Sequence, residues 1–125
     1  MWIRGSELGL VAVLWTVSGC WQASDREVVV YTALDAEFAE PILEQYARAR
    51  GVEVRPNFDV EATKTVGLVT RIQQEHHRPR CDVFWNNEIL HTLRLERQGL
   101  LAAYRSPAAA EFPENYRSPQ GIFTV

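Results

Sequence analysis

The sequence predicts an α/β fold: a mostly parallel sheet flanked by helices. Apolar strand-like runs alternate with segments of helical spacing, the pattern of parallel strands joined by right-handed crossovers. Each run ends in a polar cluster that opens the next helix. Val28-Val29-Val30-Tyr31 leads into Thr32–Asp35, Val52–Phe58 into Asp59–Lys64, and Asp82-Val83-Phe84-Trp85 into Asn86, Asn87 and Glu88. Glycine and proline stand where the helices should stop, at Gly51, Pro79 and Gly99.

Taken in order, Val28–Tyr31 is continuously apolar, as expected of a central strand covered on both faces. Phe38, Ile42, Tyr46 and Ala49 recur at helical spacing and form the stripe expected to face the core. Asp35 can cap this helix, but Pro41 then lies deep inside it; alternatively Glu40 is the cap and Pro41 the first helical residue. Gly51 ends the helix. The next strand alternates Val52, Val54 and Phe58, and Pro56 places it at an edge. A second helix starts near Thr63, with a stripe of Val66, Val69, Ile72 and His76. A short helix around Ile89, Leu93 and Leu95 follows the third strand. A Ser/Pro/Ala-rich loop extends to Pro119, and Gly121–Val125 reads as a strand just begun, which makes the sheet incomplete.

The 125 residues suit one modest domain, and their net charge of −3 gives no argument for nucleic-acid binding. The apolar stretch from Leu8 to Val17, preceded by Arg4, is short for a membrane span and fits the core of a signal peptide. Val17-Ser18-Gly19-Cys20 looks like a lipobox, which makes Cys20 the lipidation site; an ordinary secretory signal cut nearby is the alternative. The expected organisation is a signal peptide with lipobox over 1–20, a tether over 21–27 and the folded unit over 28–125, exported either way. Cys81 is then a lone thiol, expected to be buried rather than reactive.

In a parallel sheet, loops at the carboxyl ends of neighbouring strands share one edge, and ligands bind in the crevice there. Asp35, Glu88 and either Asp59 or Glu61 would make an oxygen-rich site suited to a hard cation. Singly, each acid is also what a helix N-terminus favours. Thr63-Lys64-Thr65, at a helix start, suits an anion, because free backbone N–H groups and the dipole attract one. Glu88 and His91, three apart, can face one metal but equally form a surface pair. Nucleotide and zinc motifs and a nucleophile elbow are absent from the sequence.

The ordered blocks Val28–Asp35, Gly51–Val54, Asp59–Lys64 and Cys81–Glu88, continued by Leu93–Leu101, resemble the N-terminal lobe of periplasmic solute-binding proteins of ABC importers. The most similar group is the ferric-iron-binding, transferrin-like one. The resemblance runs from Glu27 to the end. It implies the N-terminal part of a two-lobed, type II binding protein that performs no catalysis, closes on cargo and delivers it to a membrane permease. It also implies Fe(III) as cargo with a small synergistic anion. Asp35 stands at the first-loop ligand, and Glu88, or Asn87 in competition, at the acidic ligand. Thr63, Lys64 and Thr65 suit the anion, and a tyrosine pair comes from the other lobe. Related groups carry thiamine, polyamines or phosphonates. The reading from a different class is an exported α/β enzyme with Asp35 and Glu88 as acid and base.

Overall fold

The computed structural model describes residues 26–59 and 65–123. The expectations placed on Cys20, the signal segment, Glu61, Thr63 and Lys64 lie outside those residues. Among the described residues, no helix is long and apolar enough to cross a membrane.

Three strands, β1 (Glu27–Thr32), β2 (Glu53–Phe58) and β3 (Val83–Trp85), form one parallel sheet in the order β2-β1-β3. The central strand is thus the apolar run, as expected, and Pro56 lies on an edge strand. Register fixes the site: Thr32 lies beside Phe58 on one side and Trp85 on the other. Asp82 extends the β1–β3 ladder at its start, where its carboxylate accepts a 2.8 Å bond from the Val29 N–H and its own N–H donates to Val29 O at 2.9 Å.

Helix α1 (Ala36–Arg50) begins directly after Asp35, with Pro41 inside it, so the alternative start at Glu40 is not used. Pro41 removes the donor that would reach the carbonyl four residues back. Gly51 stops the helix in the left-handed region (φ 62°), and its N–H closes on Ala47 O at 2.9 Å. The expected stripe is wrong by a rotation of the helix. Phe38, Ile42 and Tyr46 are 58%, 51% and 48% exposed, whereas Ala39 is fully buried with Leu43 and Ala47 half-buried beside it. Both stripes have a spacing of four, so period alone could not choose between them. The small alanines let α1 lie close along β2.

Helix α2 (Val66–Gln74) starts three residues later than expected. Thr65 has φ 69°, a left-handed conformation that a helix cannot run through. Leu68 and Val69 are buried, but Val66 is 52% exposed and His76 is also exposed, so only part of the predicted stripe faces inward. Helix α3 (Ile89–Arg97) buries Leu95 completely and packs against α2, and Gly99 (φ 69°) follows its end. The loop beyond contains two short 3-10 turns, Pro107–Glu111 and Glu114–Tyr116. Residues 121–123 do not form the expected strand. Gly121 (φ 71°) instead closes a turn by donating to Ser118 O at 2.9 Å.

α2 is tied to the sheet through the fully buried Tyr31. Its hydroxyl donates to Glu75 Oε2 at 2.9 Å, and the Arg71 guanidinium sits 4.7 Å from the ring centroid while donating to Glu75 Oε1 at 3.0 Å. Burial, then the bond to Glu75, pushes the Tyr31 hydroxyl up to about 12. Burial works to raise the Glu75 carboxyl, but bonds from Tyr31 and Arg71 and the Arg71 charge outweigh it and hold the group below its ordinary 4.5. A raised folded-state value for Tyr31 stabilises fully below pH 10 and is lost as pH rises toward about 12. A depressed value for Glu75 stabilises above pH 4.5 and is lost as pH falls through its folded value. Chemical denaturation across pH should therefore show a plateau between these limits. Tyr31→Phe should remove the alkaline decline and weaken the acid one.

Candidate functional site

The carboxyl ends of the strands build one polar edge. β1 leads through Thr32 to Asp35, β2 to Asp59, and β3 to Asn86, Asn87 and Glu88. Ala33 N–H donates to Trp85 O at 2.9 Å, so the loops after β1 and β3 leave side by side. Asp35 and Glu88 each lie three residues beyond the paired Thr32 and Trp85. Thr32 Oγ1 accepts the Leu34 N–H at 3.1 Å, where the first loop bends.

Asp35 and Glu88 occupy the N-cap positions of α1 and α3, yet neither side chain caps its helix. For α1 the backbone does this work: Asp35 O accepts from the Phe38 and Ala39 N–H groups, each at 3.0 Å. The Glu88 carboxylate lies 3.4 Å from His91 Nε2, and its side chain is 62% exposed. It is therefore accessible to solvent. The expected pairing of Glu88 with His91 is present as a side-chain contact on one helix face.

Asp59 has a different task. Its Oδ2 accepts the Leu68 N–H at 3.1 Å, so it holds the start of α2 from nine residues upstream. Gly67 makes this approach possible: a Cβ there would come within 2.6 Å of Asp59 Oδ1. Asp59→Ala should cost about 0.5–2 kcal/mol, as for lost helix caps. Gly67→Ala should also destabilise, by displacing the same carboxylate. Thermal unfolding of both variants checks this, and a Gly67→Ala protein as stable as the parent would contradict the account.

Asn86 is the organising residue that sequence reasoning missed. Its Oδ1 accepts from the buried Thr65 hydroxyl at 3.3 Å and from the Glu88 N–H at 3.1 Å. Its Nδ2 donates to Glu88 O and to Thr92 Oγ1, the latter at 3.1 Å. Asn86 thus joins the starts of α2 and α3 and fixes the Glu88 backbone. Its neighbour Asn87 is exposed. Only its place between a strand end and a helix start could have marked Asn86. Among the described residues, no group of three acids, histidines or cysteines could hold a metal by itself. Cys81 sits at the opposite strand end, half-buried; its thiol bonds to Val83 O, and burial pushes it up to about 11, away from reactive thiolate.

This parallel sheet, with polar loops at one edge, is similar to known structures. A ferric binding protein of Bordetella superposes with a TM-score of 0.66 and 25% identity, over 76% of this chain and 29% of that one. The Trichodesmium protein (IdiA, FutA) in complex with iron and citrate gives 0.68 and 20%, over 78% and 30%. The periplasmic binding protein AfuA of Actinobacillus pleuropneumoniae, with fructose-6-phosphate bound, gives 0.66 and 19%, over 74% and 28%. The chain has the periplasmic-binding-protein fold. It spans about 30% of the length of the solved structures it matches. No protein-family model matches the sequence, and no curated protein does. The Bordetella and Actinobacillus neighbours are binding proteins.

Proposed function

We propose that the chain is part of an extracytoplasmic solute-binding component of an ABC importer, with iron(III) as cargo. The observation that carries this is the β1–β3 register, which sets Asp35 and Glu88 equally far beyond one sheet edge. Two carboxylates there suit a hard cation. In this reading Asp35 and Glu88 contact the ion and Asn87 adds a neutral oxygen. Thr63 and Lys64, leading into α2, meet a small accompanying anion, while the buried Thr65 hydroxyl is committed to Asn86. The remaining ligands come from a second lobe. The iron-binding neighbours support this cargo. The working location is the periplasm or cell surface, and the partner is a membrane permease.

A second cargo reading is an organic one such as an aminoalkylphosphonate, thiamine or a polyamine. A neighbour that binds a sugar phosphate on the same fold favours this class. Equilibrium dialysis of the full-length protein against ferric citrate and, separately, fructose 6-phosphate tests the two. Retention of iron with exclusion of the sugar phosphate supports the iron reading; the reverse overturns it. The alternative of an enzyme using Asp35 and Glu88 is tested by the same preparation, because a binding protein returns its organic ligand unchanged.

Cys20 is proposed as the lipidated mature N-terminus, holding the protein near its permease. One acyl chain binds a membrane only marginally, so stable anchoring takes more than one. Mass spectrometry of protein extracted from its native membrane should find Cys20 at the N-terminus and acylated. An unmodified Cys20, or another mature N-terminus, contradicts this.

A further inference from the structure

On the iron(III) reading above, on which this rests, we propose that Asn86 is a positioning residue of the cargo site. It clamps the main chain of Glu88 between α2 and α3 and so sets where the Glu88 carboxylate meets the cargo. An asparagine amide has two hydrogens to donate and an oxygen with two lone pairs. Four partners match that inventory. Oδ1 accepts from the Glu88 N–H at 3.1 Å and from the Thr65 hydroxyl at 3.3 Å, while Nδ2 donates to Glu88 O and to Thr92 Oγ1. With those bonds made the amide has nothing left for a ligand, so its contribution to binding passes through the residues it holds.

Two of the four partners are anchors, and the other two are the peptide groups of one residue. Thr65 is buried at the start of α2, and Thr92 is half-buried in α3. The same amide grips both the N–H and the C=O of Glu88. Thr65 is itself in a left-handed conformation (φ 69°) that a β-branched residue rarely adopts. Such conformations persist only where the surroundings impose them, and the bond to Asn86 is the Thr65 side chain's part in that hold.

The clamp leaves the Glu88 side chain free. Glu88 stands at the N-cap of α3 with an extended backbone (φ −127°, ψ 107°), yet its carboxylate makes no capping bond. Glutamate is outside the set of residues preferred at that position. Asn86 holds the peptide there instead, and the carboxylate stays exposed, with His91 Nε2 as its neighbour on the helix at 3.4 Å. A ligand acid on a pinned backbone is pre-organised, and removing a residue that orients a metal's ligand typically costs about 10–100-fold in affinity.

Competition titration of the full-length protein against ferric citrate should find Asn86→Ala weaker than the parent by about tenfold or more. In a Glu88→Ala background the same change should add about twofold or less, because no carboxylate remains to be placed. An asparagine with a merely structural role would cost the same in both backgrounds. Thr65→Val keeps the shape of the side chain and removes the anchoring hydroxyl, so it should also weaken binding. Thr65→Ser, which keeps the hydroxyl, should recover most of that loss, and this pair decides even where Asn86→Ala fails to fold. Amide hydrogen exchange gives a readout without cargo: it should be faster at Glu88 in Asn86→Ala, since that N–H loses its acceptor. The proposal is overturned by a folded Asn86→Ala protein with parental affinity, by equal losses in both backgrounds, by equal losses in Thr65→Val and Thr65→Ser, or by unchanged exchange at Glu88. A parent that retains no iron removes the cargo reading, and the positioning role with it; in every other outcome the parent binds, so the two failures are distinct.

Discussion

Replacing Leu95 with alanine should cost about 2–5 kcal/mol of folding stability, the range for large-to-small changes in a core. Leu95 is fully buried on α3, the helix that packs on α2 and carries Glu88 at its start. The end of α3 is held there too, since Leu100 N–H donates to Leu95 O at 3.0 Å. Stability of a domain is only about 5–15 kcal/mol, so one such change removes a large share. Leu90→Ala is the matched control, because Leu90 is 76% exposed on the same helix. It should stay within about 0.5 kcal/mol of the parent. Urea denaturation of both variants decides. Equal losses would mean that the inward face of α3 is misassigned.

Asp35→Ala and Glu88→Ala should each weaken ferric binding by more than about tenfold in the full-length protein. Even outer-shell partners of a metal typically contribute about 10–100-fold to its affinity, and each of these changes removes a direct anionic oxygen. If both acids meet one ion, the double variant should lose less than the sum of the two, since neighbours in one network are not additive. Glu44→Ala, on the exposed face of α1, should have no effect. Competition titration against ferric citrate measures all four proteins. Additive losses, or losses equal to that of Glu44→Ala, would remove these acids from a shared site.

Much of the fold was legible because its signals are local and repeated. The apolar run of β1 and Pro56 in β2 state which strand is central and which is an edge, and the sheet order follows. Gly51 and Gly99 mark helix ends because a left-handed residue is cheapest as glycine. What was not legible depends on packing or on distant partners. α1 carries two stripes at the same spacing, and only contact with β2 chooses Ala39 over Phe38. The start of α2 is set by the conformation of Thr65 and by the distant carboxylate of Asp59. The strand expected at Gly121 is replaced by a turn that its own left-handed conformation closes. At the site, the sequence points to the edge and to its acids. Asn86 is different: its role appears only when Thr65, Glu88 and Thr92 are brought around one amide.

The central claim is that Asp35, Asn87 and Glu88 meet one trivalent cation at the carboxyl edge of the sheet. Gallium(III), a diamagnetic stand-in for ferric ion, titrated as the citrate into isotope-labelled full-length protein, tests this most directly by backbone NMR. The account predicts saturable shifts concentrated at Leu34–Ala36 and Asn86–Ile89. Shifts confined elsewhere, or none at saturating gallium citrate, would contradict it.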